Sequence, residues 1–179
     1  VAHVPEDRQR MGIISDFSAS ESALLGYQND KEINQGVWLK RSSVKANCES
    51  IMEAFDVRPT NPDLKSSNFS GGNQQKLILA REFERDPEVL IIGQPTRGVD
   101  IGAIEFIRKR IIEMRDAGKA IILISVELEE IMSISDRIIV MCDGEITGTV
   151  DAAKADEATL GMMMANALPS DKKITEAQL

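Results

Sequence analysis

Two stretches decide the reading: Phe69-Ser70-Gly71-Gly72-Asn73-Gln74-Gln75-Lys76, and Val89-Leu90-Ile91-Ile92-Gly93-Gln94-Pro95-Thr96-Arg97-Gly98-Val99-Asp100. In the first, two glycines let backbone approach an anion closely. The helix they open offers unpaired N–H groups and the positive end of its dipole. Leu77, Ile78, Ala80 and Phe83 carry that helix towards Asp86-Pro87. Ser-Gly-Gly alone also fits a flexible turn, and the second stretch changes the balance. Val89 to Ile92 is apolar without alternation, the pattern of a strand buried on both faces. It runs into a Pro-Thr-x-Gly-x-Asp turn, and the C-terminal ends of such strands are where α/β proteins place phosphate chemistry.

Working outward, Ile104, Ile107, Ile111 and Met114 predict a helix that Asp100 caps and Ala117-Gly118 closes. Ala120 to Ser125 reads as a second buried strand. Glu127 to Ser133 reads as a short acidic helix, with Glu127, Glu129 and Glu130 solvated and Leu128 and Ile131 inward. Asp143-Gly144 between Arg137–Cys142 and Glu145–Val150 is a hairpin signal. Met162 to Met164 fall in a short helix, and the tail frays from Pro169. Before the glycine turn, Val1 to Gly12 reads as the end of a strand entering a charged loop. Ser18 and Glu21 form a capping-box pattern for a helix over about Ala19 to Tyr27. Gln28 to Lys40 is a polar connector holding Trp38. Val44, Cys48, Ile51, Met52 and Phe55 then give an amphipathic helix ended by Pro59 and Pro62. The expected organisation is a helical subdomain over 1–87, half of an α/β core with a parallel sheet over 88–168, and a frayed tail over 169–179.

Composition narrows the function. The chain has 179 residues and a formal charge of −8, with 21 Lys and Arg against 29 Asp and Glu. That balance opposes nucleic-acid binding, which depends on clustered Lys and Arg. At 42% hydrophobic and 28% charged residues it is an ordinary globular composition. No apolar run approaches the roughly 18 residues of a membrane-spanning helix. His3 is the single histidine, so no Cys/His metal cluster is expected, and Cys48 and Cys142 read as buried thiols. The chain opens at Val1 without an initiator Met and contains no GxxxxGK[ST] phosphate loop. Both features read as a cut piece.

Order, spacing and sequence resemble the ATP-binding-cassette (ABC) ATPases, as a partial P-loop-NTPase-like sheet core with an inserted helical signature subdomain. Ser70, Gly71, Gly72, Asn73 and Gln74 are similar to the family signature. Val89 to Gln94 resembles the Walker B strand, and Arg97, Gly98, Val99 and Asp100 resemble the D-loop. Glu6, Asp7 and Arg8 resemble the loop that contacts a membrane permease. The form of these motifs is similar to the second cassette of tandem sugar- or nucleoside-type importers.

The resemblance implies ATP and Mg²⁺ as cofactors of the full protein. It implies another cassette, in the same chain or a dimer, as one partner and permease subunits as another, with a substrate-binding lipoprotein served indirectly. It places the protein on the cytoplasmic face of the plasma membrane. Three positions depart from the family. Gly93 and Gln94 stand where active cassettes carry Asp and Glu, and Val126 stands at the switch histidine. Glycine offers Mg²⁺ no carboxylate, glutamine orients a water without taking its proton, and valine has no polar atom. The expectation is a catalytically degenerate site of its own, with no intact catalytic residues, and a signature that completes a partner's ATP site. A non-catalytic interaction module, or a cassette remnant without a transport role, is the alternative. A chromosome-maintenance cassette fits worse, since the charge is −8 and no heptad arm is present.

Overall fold

The structure is a computed structural model describing residues 1–31, 33–35 and 38–167; the tail expected to fray lies outside the described residues. It forms two compact units, Val1–Ile124 and Ser125–Leu179.

In the first unit three parallel strands lie in the order β1 (Ala2–Val4), β4 (Val89–Gly93), β5 (Ala120–Ile124). The central strand is β4. Leu90 pairs with Ala2 on one side and Ile121 on the other, and Leu90 and Ile92 are fully buried. The expectation for β5 is corrected. It forms the sheet edge, and Ile122 and Ile124 are 55% and 53% exposed. Its composition is that of a buried strand, but composition cannot say whether a neighbour is present.

The remainder of the unit is helical, apart from a small hairpin. Ser18 caps α1 (Ala19–Leu24), and the reciprocal bond from the Ser18 N–H to the Glu21 carboxylate spans 2.8 Å. That bond and the Ser18 hydroxyl hold the Glu21 carboxyl below its ordinary range. The helix stops short of Tyr27 because Gly26 adopts a φ of +87°. The expected connector contains the hairpin β2 (Asn34–Gln35) and β3 (Trp38–Leu39), too short to leave a periodic signal, with Trp38 exposed. In α2 (Arg41–Ala54), Cys48, Ile51 and Met52 are buried, and burial pushes the Cys48 thiol up to about 12. Phe55 then meets Phe83 and Phe106 edge-on, at 5.9 and 6.0 Å between centroids.

Phe83 ends α3 (Gly71–Phe83), and Phe106 lies in α4 (Ile101–Asp116), so this cluster joins three helices. Arg81 of α3 is buried and hydrogen-bonded through Nε and Nη1. It donates to the carbonyls of Gly12 and Ser22 and to the Glu82 carboxylate, which also accepts from the Tyr27 hydroxyl. A buried charge is tolerated on those terms.

In the second unit, α5 (Leu128–Ile134), the hairpin β6 (Arg137–Cys142) and β7 (Glu145–Asp151), and α6 (Glu157–Met164) surround a core of Ile138, Val140, Leu160 and Met163. Asp143 and Gly144 both take positive φ, as a two-residue hairpin loop requires. Gly148 leaves a socket for Met163, whose sulfur lies 2.7 Å from where a Cβ on residue 148 would stand.

Two expectations are corrected here. Cys142 is half-buried rather than buried. Glu130 is not solvated: it is fully buried, and neither carboxylate oxygen has a hydrogen-bond partner among the described residues.

These placements make two outcomes measurable. An unsatisfied buried polar group costs about 1–3 kcal/mol. Glu130→Leu is therefore expected to raise the urea midpoint of the isolated chain. Replacing Ile122 and Ile124 together by Thr keeps strand propensity while removing exposed apolar surface. Light scattering should fall at equal concentration, with far-UV circular dichroism unchanged.

Candidate functional site

The β4 strand delivers its last residue, Gly93, against the loop that leaves β1. A Cβ on Gly93 would stand 3.1 Å from the Glu6 nitrogen and 3.4 Å from its Cα, so the two backbones meet where a side chain needs room. Gln94 comes next, buried and at a φ of +47°, a conformation rare outside glycine. Its N–H donates to the Ile124 carbonyl at 2.7 Å, and its carbonyl accepts from the Arg97 N–H at 3.2 Å. These bonds fix the start of the 94–100 turn. Asp100 ends that turn as the N-cap of α4, accepting from the Ala103 N–H at 3.0 Å.

Beside this turn lies the N-terminus of α3. Ser70 caps it, and both hydrogen bonds at Ser70 Oγ use it as acceptor, from the Asn73 N–H at 3.4 Å and the Asn73 side-chain amide at 3.0 Å. The Gly71 and Gly72 N–H groups are left as orphan donors among the described residues. Both glycines are needed for close approach. A Cβ on Gly71 would lie 2.7 Å from Arg8 Nη2 and 3.0 Å from the Gly98 carbonyl oxygen. One on Gly72 would lie 2.9 Å from Asp100 Oδ2.

The loop after β1 closes the cluster. Asp7 accepts from the N–H groups of Gln9 and Arg10, capping a single π turn at Arg8–Gly12. Glu6 pairs with Arg97 at 3.0 Å, and Arg8 reaches the carbonyls of Arg97 and Gly98 at 2.6 and 3.2 Å.

Residues from three distant parts of the sequence therefore meet: Glu6 and Arg8, Gly71 and Gly72, and Gly93 with Arg97, Gly98 and Asp100. Of the remaining signature positions, Asn73 bridges from this face and Gln74 turns away from it. The Asn73 side-chain amide donates to Ser70 Oγ while its Oδ1 accepts from the Arg58 N–H at 2.7 Å, and the Gln74 amide is buried and donates to the Ser66 carbonyl at 3.0 Å. Val99 is half-buried, while Val126 belongs to the second unit and is exposed.

The role of Arg8 as a tie was not visible in the sequence. Its partners lie 89 and 90 residues away, and a bond to a backbone carbonyl carries no side-chain signature.

The site fits its implied cofactors unequally. Two orphan N–H groups at a glycine-lined helix start, beside an exposed serine hydroxyl, suit phosphate oxygens. Mg²⁺ prefers carboxylate oxygens. Gly93 and Gln94 provide none, and no group of three His, Cys, Asp or Glu side chains among the described residues forms a metal cage. No described helix is long and apolar enough to cross a membrane.

A parallel sheet whose strand end meets a glycine-opened helix and a capped turn is the build of an ATP-binding cassette. Among solved structures, the dimeric bacterial ABC transporter cassette MJ0796 matches with a TM-score of 0.67 at 20% identity, over 85% of this chain and 62% of that one. A post-hydrolysis state of MJ0796 bound to ADP and Pi matches at 0.65 and the same identity, over 84% and 62%. By sequence, the chain belongs to the ABC family through its import ATP-binding proteins.

It is 44% identical over 164 residues to the nucleoside import ATP-binding protein NupA of Lactococcus lactis subsp. cremoris, covering 92% of this chain and 32% of that protein. It is 43% identical to the guanosine import ATP-binding protein NupO of Bacillus subtilis, covering 92% and 32%. It is 43% identical to the glucose import ATP-binding protein TsgD13 of Haloferax volcanii, covering 92% and 30%. The chain spans about a third of the length of these curated relatives. No family model matches it.

The contact between Gly72 and Asp100 gives a stability test. Losing an N-cap costs about 1 kcal/mol, so Asp100→Ala is expected to destabilise by that amount. Gly72→Ala pushes on the same carboxylate and should cost less in the Asp100→Ala background than alone. A urea double-mutant cycle measures the difference.

Proposed function

We propose that this chain is part of the ATP-binding subunit of an ABC importer for nucleosides or simple sugars. In this reading Ser70, Gly71 and Gly72 complete the ATP site of a second cassette, while the chain's own site is catalytically degenerate. The observation that carries it is an asymmetry within one cluster. The α3 N-terminus keeps two orphan donors and an exposed hydroxyl, while the end of β4 carries Gly93 and Gln94 in place of carboxylates.

Phosphate oxygens on a partner-held nucleotide would accept from Gly71 N–H, Gly72 N–H and the Ser70 hydroxyl. Bound ATP supplies the phosphoryl group and the free energy of its hydrolysis. Gln94 can hold a water by its amide but cannot take a proton from it, so it does not act as a general base. The names of the relatives support the solute class: nucleoside, guanosine and glucose import. The loop Glu6–Asp7–Arg8 is assigned to the permease and the cytoplasmic membrane face on its family position. The division into a helical subdomain over 1–87 and a core half over 88–168 belongs to the same proposal.

Nucleotide trapping by the complete transporter tests it. Ser70→Phe should abolish trapping. Gly93→Asp with Gln94→Glu should gain little turnover, both because Val126 remains and because a side chain at 93 forces the Glu6 backbone to give way. Robust turnover from those two substitutions in a protein whose other site is disabled would show that the asymmetric account is wrong.

A further inference from the structure

Arg8 is drawn into the site by three features that a solvated loop arginine lacks. Its guanidinium fork spans two successive carbonyls, Arg97 and Gly98, at 2.6 and 3.2 Å. Its Nη2 occupies the space that a Cβ on Gly71 would need, at 2.7 Å. Its Nε is buried, with no acceptor among the described residues, so the group is held inward without a full set of bonds. Gly98 contributes by its φ of +65°, which presents its carbonyl to the fork in a conformation most residues avoid.

A second link joins the same two loops, the Glu6–Arg97 ion pair, but its side chains are 60% and 68% exposed. Both links lie at the surface, where single pairs contribute little, but Arg8 makes two charge-assisted bonds and buries its Nε where the ion pair makes one. Arg8 is the stronger tie.

We propose that Arg8 is a positioning residue that holds the Arg97–Gly98 turn and the Ser70–Gly72 helix start in one arrangement. The proposal rests on the reading of Ser70–Gly72 as the donor set for a partner's nucleotide. Arg8 does not touch that nucleotide; it keeps the competent geometry populated. When a site is competent only part of the time, apparent affinity falls by the competent fraction. Loss of Arg8 therefore weakens ATP binding while saturating ATP restores turnover. A merely structural role has the opposite split, with fewer folded molecules, lower kcat and unchanged KM.

The experiment measures steady-state ATPase of the complete transporter for Arg8→Gln, Arg8→Lys and Glu6→Gln. Losing charge-assisted bonds of this kind corresponds to about tenfold. Arg8→Gln is expected to raise KM for ATP by about that factor with kcat changed less than about twofold. Lysine keeps the charge but offers one nitrogen in place of the planar two-nitrogen fork, so Arg8→Lys should fall between wild type and Arg8→Gln. Glu6→Gln should produce a smaller rise than Arg8→Gln.

An unchanged KM in Arg8→Gln, a fall in kcat alone, or equal effects of Glu6→Gln and Arg8→Gln would each overturn the proposal. If Arg8→Gln does not accumulate, Arg8→Lys decides alone, since a wild-type KM there also overturns it. The underlying site reading fails separately, by Ser70→Phe retaining nucleotide trapping.

Discussion

The parallel pairing of β4 with strands on both sides is the constraint on which the first unit depends. Leu90 and Ile92 are fully buried on the central strand, with β1 and β5 paired on either side. The same pairing fixes the strand's exit. The ladder continues one residue beyond β4 through the Gln94 N–H, which determines where the 94–100 turn begins. From that point the geometry is tightly limited, because Gly93 abuts the Glu6 backbone and Asp100 must land one residue before α4. The α3 N-terminus is then admitted beside the turn only because residues 71 and 72 lack side chains.

Two kinds of group meet in this cluster, backbone and side chain, and they depend on the sequence differently. The donor set at Ser70–Gly72 is largely backbone, so it survives as long as the helix starts there and the glycines leave room. Proton transfer and metal binding would depend on carboxylates, and positions 93 and 94 carry none.

The elements legible in the sequence were those with local causes. The Ser18–Glu21 capping box, the Asp100 cap, the Asp143-Gly144 loop and the continuous apolar strand β4 each arise from neighbouring residues. The order of the motifs placed the family. The relations that depend on distant partners were not legible. The exposure of β5 reflects which strands flank it, and the burial of Glu130 reflects what packs on α5 rather than the acidic pattern of its own helix. The Arg8 tie crosses nearly half the chain to reach backbone. The β2–β3 hairpin was missed because two residues per strand show no period.

The socket at Gly148 has a consequence for how this hairpin and helix can vary together. Any side chain at 148 meets the Met163 thioether at once, while a shorter residue at 163 would leave the space beneath β7 unfilled. The two positions therefore share one volume. A larger residue at 148 requires the Met163 thioether to move or a shorter side chain to stand at 163. A shorter residue at 163 costs stability for as long as glycine remains opposite, so packing couples the two sites.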